Sequence, residues 1–379
     1  MMNLQDRITI LGLTDTGLVR KKNEDSIGFD SALGLVVLAD GMGGHRGGEI
    51  ASGLTVDKII DTVQKNLLAI EPRQTDPDNG FSLESICIQE AVESANRLVF
   101  KTAEDNPEYH GMGTTVVVLQ FYNNTLTLAH IGDSRCYRFR RDKLEQITKD
   151  HSLNQELIDR GFYTPEEAKK MINKNLVTRA LGIEPLVTAD IQEDIVIKGD
   201  IYLLCSDGLT DLVEDEYIYL TIKRFSDNPE EAAKQLIAKA NKNGGKDNIS
   251  VMLCQINQDF STKSERRNSV RKVICTSCVA QFPSGITING KTKDLSLDGA
   301  LIESTSISSN DQDNPSIGDI GLLTLKFNTG AVENEIRVPC QARHLGTDGI
   351  GLLIHFLKLK IDEQDLLRQV IASNNAEFD

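Results

Sequence analysis

The sequence predicts an α+β protein in which a sandwich of mostly antiparallel strands, covered by a few long helices, is followed by a small β-barrel domain. Its 379 residues are enough for two domains that each bury a core of their own. In the first two thirds, the strand and helix patterns do not alternate as β-α-β-α units, which argues against a parallel doubly wound sheet. After the polar stretch 257–265, short alternating strand patterns replace the long helical ones.

The composition is that of an ordinary soluble protein, with 40% hydrophobic residues and a formal net charge of −15. This charge argues against nonspecific binding to nucleic acid or to an anionic membrane. Every apolar run is shorter than the roughly 20 residues that span a bilayer, and the N-terminus has no basic-then-apolar signal pattern. The seven scattered cysteines suit a reducing compartment. We therefore predict a cytoplasmic protein that does not insert into membranes.

Hydrophobic periodicity places the elements of the first domain, which we predict to comprise residues 1–258. Amphipathic spacing predicts helices at 49–68, 83–104 and around 232–240. Alternating or continuous apolar runs predict strands at 8–14, within 26–40, in three runs between 111 and 140, at 201–205 and at 249–255.

Three details of this domain can be checked directly. Asn123-Asn124 is predicted to be the turn of a hairpin. The polar residues 152–180 are predicted to form a surface subdomain outside the sheets. The second helix is expected to present an apolar face formed by Leu83, Ile86, Ala91, Ala95 and Leu98.

We predict a linker at 259–265 and a second domain at 266–379. Its strands are predicted at 272–282, 300–302, 322–327, 335–345 and 351–356, with a C-terminal helix at 362–372. A polar loop is expected at 304–314.

Several aspartates stand where an apolar strand ends in a glycine-rich turn. The run Val36–Ala39 ends at Asp40, and similar patterns end at Asp133 and Asp207. Asp247 lies just before the apolar run that begins at Ile249. A carboxylate at the end of a buried strand is costly without a charged partner, and several carboxylates together need a cation. Oxygen-only ligation favours Mg²⁺ or Mn²⁺ over zinc.

Four or five carboxylates around one or two such cations suggest phosphoryl chemistry. Two divalent metals about 3.5–4 Å apart can activate water for in-line attack on phosphorus. Arg20, close in sequence to Glu24, has the planar fork that binds a phosphate dianion. A single Asp-Gly after a strand is usually only a turn, and no Lys-Ser/Thr follows the glycines after Asp40, so the Walker pattern is absent. The prediction rests on all of these residues together and not on any single turn.

The order of these motifs resembles that of the metal-dependent protein phosphatase 2C family in its bacterial form. The matching motifs are Asp15-x-Gly17-x-x-Arg20-x-x-Asn23-Glu24-Asp25, Asp40-Gly41-Met42-Gly43-Gly44-His45, Gly113-Thr114-Thr115, Ile131-Gly132-Asp133-Ser134-Arg135, Asp150-His151-Ser152, Ser206-Asp207-Gly208 and Gly245-x-Asp247-Asn248. The resemblance covers residues 1–258 and implies an αββα sandwich with two core metals, Mn²⁺ or Mg²⁺.

On matching positions, the resemblance implies direct metal ligands at Asp40, the carbonyl of Gly41, Asp207 and Asp247. It implies that Glu24 and Asp25 act near the metals or through water. It further implies that Asp133 and Asp207 hold a weaker third metal, that Arg20 binds phosphate, and that His45 is a candidate general acid. A structural role for the loop histidine His45 is equally open, and Asn248 is expected to orient Asp247. Residues 152–180 fall where the family has its variable flap.

A basic cluster at the edge of the second domain suggests a second site; its arginines are Arg266, Arg267 and Arg271. Arginine forks suit phosphates and guanine, although such a cluster alone would fit a solvated linker. Together with an Asp-x-Ser-x-x-Gly element, the cluster resembles the PilZ domain, which binds cyclic di-GMP. The resemblance implies nucleotide binding by Arg266, Arg267, Arg271, Asp294, Ser296 and Gly299. A zinc site at Cys275 and Cys278 is disfavoured, because no second pair follows and strand positions i and i+3 face opposite sides.

These patterns together predict a serine/threonine phosphoprotein phosphatase whose activity or location responds to cyclic di-GMP. Its partners would be a phosphorylated protein and the nucleotide, with no nucleic acid. Two rivals stay open at this point. The second domain could be a tether that changes location and not rate, or the first could be a scaffold that binds phosphoprotein without turnover.

Overall fold

The computed structural model describes residues 3–43, 47–67, 70, 81–164, 167, 176–258, 260, 276–282, 285–296, 299–308, 319–329, 332–345 and 351–357. The chain divides into two compact units, Met1–Thr75 with Ser82–Phe260, and Asp76–Phe81 with Ser261–Asp379. Phe260, in the segment predicted as linker, is buried, with its ring 6.2 Å from that of Phe121. The exact domain boundaries stay a prediction.

The first unit contains eleven described strands in two antiparallel sheets. They are β1 (Ile8–Asp15), β2 (Asp25–Asp30), β3 (Leu35–Met42), β4 (Gly113–Thr114), β5 (Val116–Tyr122), β6 (Thr125–Ile131), β7 (Arg135–Arg140), β8 (Lys143–Gln146), β9 (Asp190–Ile195), β10 (Ile201–Cys205) and β11 (Ile249–Ile256). One sheet has the order β1-β11-β10-β7-β8, and the other β2-β3-β5-β6-β9, with β4 paired to β3. The strands predicted for this domain are confirmed, while the polar strands β8 and β9 carry too little apolar pattern to be predicted.

The described helices of this unit are α1 (Gly47–Asn66), α2 (Leu83–Asp105), α3 (Leu153–Asp159), α4 (Asp207–Thr210), α5 (Asp215–Arg224) and α6 (Pro229–Lys242). A 3-10 turn, Pro107–Tyr109, follows α2. Side-chain caps define three helix starts: Ser82 accepts the backbone N–H of Ser85, Ser152 that of Gln155, and Asn228 that of Glu231. The three predicted helices are confirmed.

Burial shows four layers. Val36, Leu38 and Val117 of one sheet share a buried cluster with Tyr202 and Met252 of the other, so the sheets pack face to face. The outer face of the second sheet is buried against α1 and α2, and that of the first sheet against α5 and α6. The αββα sandwich implied by the resemblance is therefore confirmed.

The hairpin turn is confirmed, and the buried face of α2 agrees with the predicted one only in part. Asn123 and Asn124 have φ of 45° and 60°, and Tyr122 pairs with Thr125, as a two-residue turn requires. In α2, Leu83, Ile86 and Leu98 are only half-buried. The fully buried apolar positions are Cys87, Ile88, Ala91, Val92, Ala95, Val99 and Ala103. Ala91 and Ala95 are thus predicted correctly, while Ile88, Val92 and Val99 complete the buried face in place of Leu83, Ile86 and Leu98.

The second unit is a closed antiparallel barrel. Its strands are β12 (Ser277–Gln281), β13 (Thr287–Ser296), β14 (Gly299–Ser308), β15 (Ile320–Thr329), β16 (Val332–Leu345) and β17 (Gly351–Phe356), in the order β12-β13-β14-β17-β16-β15, with β12 closing on β15. The predicted small barrel is confirmed, although β13 was missed. Residues 304–308, predicted as loop, extend β14 because they pair with β13. The predicted helix at 362–372 lies outside the described residues. Within the described part of the chain, we find no helix with the length and apolarity to cross a membrane.

Candidate metal centre

The end of β3 places Asp40 at one edge of the sandwich. The Asp40 N–H donates to Thr115 Oγ1 (3.1 Å), and its carbonyl accepts from Thr114 Oγ1 (2.8 Å) and the Thr115 N–H (2.9 Å). The β2–β3 register sets Asp25 directly opposite Asp40. With the backbone of Asp40 fully bonded, its position in the site is set by strand pairing and by the Gly113-Thr114-Thr115 motif.

The other sheet brings Asp207 and Asp247 to the same edge. Asp207 follows β10 as the first residue of α4, and Asp247 precedes β11. Since β10 and β11 pair antiparallel, with Cys205 opposite Val251, the end of one strand and the start of the other are neighbours. Ser206 joins the two sheets here, because its Oγ donates to Asp25 Oδ2 (2.8 Å).

These carboxylates repel one another in a buried environment. Burial and the charges of Asp25, Asp207 and Asp133 raise the pKa of Asp40 well above its ordinary value. Burial and the charge of Asp133 do the same to the pKa of Asp207. Burial and the charge of Asp150 raise the pKa of Asp133 to about 6. A cluster of acids in this state is stabilised by a bound cation, which removes the repulsion.

Asp25 provides the clearest test of whether the residues fit a metal. The residue is 8% exposed, and its Oδ2 accepts from Ser206 Oγ (2.8 Å) and Ser250 Oγ (2.7 Å). Its Oδ1 is buried and has no hydrogen-bond partner among the residues that the structure describes, and burial raises the pKa of Asp25. An unsatisfied carboxylate oxygen among further carboxylates fits a hard divalent cation with oxygen ligands, Mg²⁺ or Mn²⁺.

Two glycines let the backbone approach the site closely. A Cβ on Gly41 would lie 2.1 Å from the carbonyl oxygen of Gly48 and 2.5 Å from that of Glu24. A Cβ on Gly208 would lie 2.0 Å from the carbonyl oxygen of Asn248. The Gly41 N–H also donates to the Glu24 carbonyl (3.1 Å). Gly41 and Gly208 are therefore required by close packing around the aspartates.

Arg20 and Glu24 lie at the open side of this cluster. Arg20 Nη2 donates to Asp247 Oδ2 (2.7 Å), and this bond raises the pKa of Arg20. The Arg20 side chain is 50% exposed, so its remaining donors face solvent or a ligand. Burial raises the pKa of Glu24. The structure thus brings six predicted residues, Arg20, Glu24, Asp25, Asp40, Asp207 and Asp247, into one region, with Asp133 acting on Asp40 and Asp207 through its charge.

The supporting hydroxyls of the site were not predicted, and for the amide of Asn248 only the contact with Asp247 was. Ser206 and Ser250 hold Asp25, Thr115 holds Asp40, and Asn248 bonds the backbone of Glu24. Each lies in or beside a quoted motif, so the signal was present as a polar residue next to a candidate ligand. The residue that each one bonds could not be predicted from the sequence, since Asp25 and Ser250, for example, are 225 positions apart.

Several predicted residues cannot be placed. His45, Arg266, Arg267 and Arg271 lie outside the described residues. In the barrel, Asp294 and Ser296 lie on β13, and Gly299 begins β14 opposite Ser296. This places the Asp-x-Ser-x-x-Gly element at one end of the β13–β14 hairpin.

A separate cluster, His130, His151 and Asp190, has ligand-type atoms within 4.8 Å of one another. Two contacts argue against a metal there. Arg179 Nη1 is 2.7 Å from Asp190 Oδ1 and 3.0 Å from His151 Nε2, so a guanidinium already supplies the positive charge. His151 Nδ1 accepts the Gly132 N–H (3.1 Å), whereas a neutral histidine bound to metal through Nε2 would need a proton on Nδ1. Cys278 is buried in the barrel core, while Cys275 lies outside the described residues.

The raised pKa values predict how pH affects the metal-free protein. The carboxyls of Asp25, Asp40, Asp133 and Asp207 have folded-state pKa values above the unfolded value of about 4. Their contribution to stability is therefore present below about pH 4 and is lost as pH rises through the folded pKa, near 6 for Asp133. In EDTA, we expect the free energy of unfolding to decrease as the pH rises through this window. With saturating Mn²⁺, we expect a smaller decrease over the same pH range. Urea unfolding at stepped pH measures both, and parallel curves would contradict the prediction.

Comparison with known proteins agrees with this geometry. Residues 13–249 match the family model of protein phosphatase 2C, and residues 265–373 match that of the PilZ domain. The serine/threonine protein phosphatase PstP of Mycobacterium tuberculosis is 41% identical over 246 residues, covering 64% of this chain and 44% of PstP. The chain thus matches less than half the length of that relative. The serine/threonine phosphatase stp of Listeria innocua is 36% identical over 252 residues, covering 64% of this chain and 94% of stp.

Solved structures agree as well. A crystal structure of the catalytic domain of PstP in complex with two manganese ions superposes with a TM-score of 0.57 at 38% identity. The superposition covers 66% of this chain and 99% of that one. Because the phosphatase family model spans more than half of the chain, and the sandwich with its acidic edge agrees with it, the protein belongs to the protein phosphatase 2C family and carries a PilZ domain in its C-terminal part.

Proposed function

We propose that the protein is a metal-dependent serine/threonine phosphoprotein phosphatase that responds to cyclic di-GMP through its PilZ domain. The observation that carries this proposal is the convergence of Asp25, Asp40 and Asp207, with raised pKa values, beside Asp247 at one edge of the sandwich. The names of its relatives, serine/threonine phosphatases at 36–41% identity, support the same reaction.

In this proposal the core cations are held by Asp40, the carbonyl of Gly41, Asp207 and Asp247, and a third, weaker one by Asp133 with Asp207. Two bound Mn²⁺ or Mg²⁺ ions would supply activation of water for in-line attack on phosphorus. Asp25 would orient the centre through its free Oδ1, because two serine hydroxyls fix its other oxygen.

The substrate's phosphate would be received by Arg20. Its Nη2 already bonds Asp247, so the guanidinium lies next to the metal ligands and can present its other donors to the phosphate oxygens. Glu24 would orient water from the loop that carries Arg20. His45 would donate the proton that the leaving serine or threonine alkoxide needs.

Cyclic di-GMP would bind the second unit through Arg266, Arg267, Arg271, Asp294, Ser296 and Gly299. The support is the PilZ match and the position of Asp294, Ser296 and Gly299 at one hairpin end. The guanidinium groups of the arginines would bind its phosphates and guanine.

Nucleotide-titrated activity tests the proposal. We expect phosphate release from a phosphothreonine peptide to require Mn²⁺, to stop with EDTA, and to change in rate as cyclic di-GMP saturates. Absence of Mn²⁺-dependent release by the intact chain would exclude the phosphatase and favour a scaffold. Hydrolysis that is constant while calorimetry shows nucleotide binding would exclude rate control and favour a tether.

A further inference from the structure

Asn248 makes three hydrogen bonds to the loop that carries Arg20. Its Nδ2 donates to the carbonyl oxygens of Thr16 (3.0 Å) and Lys22 (2.9 Å), and its Oδ1 accepts the N–H of Glu24 (2.8 Å). The residue is 4% exposed. One buried amide therefore joins the beginning and the end of the segment 16–24, which we call the arginine loop.

The arginine loop is attached at other points as well: Asn23 Nδ2 donates to Thr14 Oγ1 (2.7 Å), and the Glu24 carbonyl accepts from the Gly41 N–H (3.1 Å) and from Ser52 Oγ (2.6 Å). Its outer side chains are exposed, with Leu18 at 69% and Val19 at 65%. The backbone N–H groups of these two residues donate to the Gly245 carbonyl at 2.8 and 3.2 Å. The loop joins β1 to β2 and contains no strand or helix of its own. Each of these bonds holds one part of the loop, whereas the side chain of Asn248 bonds it on both sides of Arg20, at Thr16 and at Lys22 and Glu24.

The backbone of Asn248 belongs to the acidic cluster itself. Its N–H donates to Asp247 Oδ1 (2.9 Å), and its carbonyl accepts from Ser206 Oγ (3.4 Å). The same residue therefore fixes Asp247 through its main chain and the arginine loop through its side chain. The sequence-based expectation, that Asn248 orients Asp247, covers only the first of these two contacts.

We propose that Asn248 is a positioning residue that sets the Arg20 guanidinium against Asp247, so that a phosphate is received at the acidic cluster; this inference rests on the proposed function. Only a carboxamide supplies two donors and one acceptor from a single short planar group. Aspartate has no donor, and alanine leaves the Thr16 and Lys22 carbonyls without their partner.

The test is a double-mutant cycle with Asn248→Ala and Arg20→Ala, at saturating Mn²⁺. We expect Asn248→Ala to raise KM for p-nitrophenyl phosphate and Ki for inorganic phosphate by about 10- to 100-fold, with a smaller effect on kcat. In the Arg20→Ala background the same substitution is expected to change KM and Ki by less than about threefold, because the arginine it positions is gone.

Asn96 supplies a matched control. It is 1% exposed and makes the same three kinds of bond to another loop: its Oδ1 accepts the Gly182 N–H (2.8 Å), and its Nδ2 donates to the carbonyls of Glu184 (3.0 Å) and Pro185 (3.3 Å). We expect Asn96→Ala to lower the melting temperature while leaving KM and Ki unchanged. A similar rise in both for the two variants would show that loss of stability is the cause, and would overturn the inference.

Two further outcomes would overturn it. One is additivity of the Asn248 and Arg20 effects; the other is loss of kcat with unchanged KM and Ki. Asn248→Ser is measured alongside, and failure of both Asn248 variants to fold would show that the residue holds the fold and not the arginine. If wild-type protein hydrolyses nothing, the proposed function fails, whereas binding of inorganic phosphate followed by calorimetry still tests the role of Asn248.

Discussion

Asp207→Asn is expected to lower Mn²⁺-dependent hydrolysis of a phosphothreonine peptide by about 10³-fold or more, because the amide removes a charge from the centre proposed to hold the cations. In EDTA the same variant is expected to melt at or above the wild-type temperature. The pKa of Asp207 is raised by burial and by Asp133, so its charge destabilises the metal-free fold near neutral pH. Phosphate release and calorimetric melting with and without Mn²⁺ measure both effects.

Asp200→Asn is the matched control. Asp200 is 1% exposed and directly precedes β10, the strand after which Asp207 lies. Its carboxylate pairs with Arg140 (2.7 Å) and accepts the Ile197 N–H (2.8 Å). We expect this variant to lose about 3 kcal/mol of stability, because Arg140 is left unpaired, and to keep its turnover per folded molecule. Equal loss of turnover in both variants would contradict the role proposed for Asp207.

Arg267→Ala is expected to weaken cyclic di-GMP binding by about 100-fold, the scale of a charge-assisted bidentate contact to phosphate or guanine. Any response of the hydrolysis rate to the nucleotide is expected to disappear with it. Asp207→Asn, by contrast, should bind the nucleotide as the wild type does. Calorimetric titration of each intact variant with cyclic di-GMP measures the affinity directly.

Arg337→Ala is the matched control in the same domain. Arg337 lies on β16, its side chain is 68% exposed, and its Nε bonds Glu335 Oε1 (2.7 Å). Removing it deletes one positive charge from the barrel without touching the predicted nucleotide-binding residues. Equal weakening by both substitutions would show that the affinity depends on overall charge, and unchanged binding by Arg267→Ala would refute its assignment.

Local sequence patterns determined much of the fold. The apolar run Val36–Ala39 predicted a buried strand, and Asn123-Asn124 a tight hairpin, because both depend on interactions within a few residues. The face of α2 was predicted correctly only at Ala91 and Ala95, for the opposite reason. Periodicity shows that a helix has an apolar side, but which positions reach the core depends on the two partners that α2 meets.

For the site, the residue types along the chain predicted the chemistry: acidic residues at strand ends, glycines beside them, and one arginine whose guanidinium can bind phosphate. Tertiary structure decided which of these meet. The register of β2 on β3 sets Asp25 against Asp40, and the pairing of β10 with β11 brings Asp207 to Asp247. Only the packed fold shows that Ser206 and Ser250 hold Asp25 and that Asn248 closes the arginine loop. The physical reason is that a hydrogen bond between residues more than 180 positions apart depends on the packing of two sheets, which leaves no periodic trace along the chain.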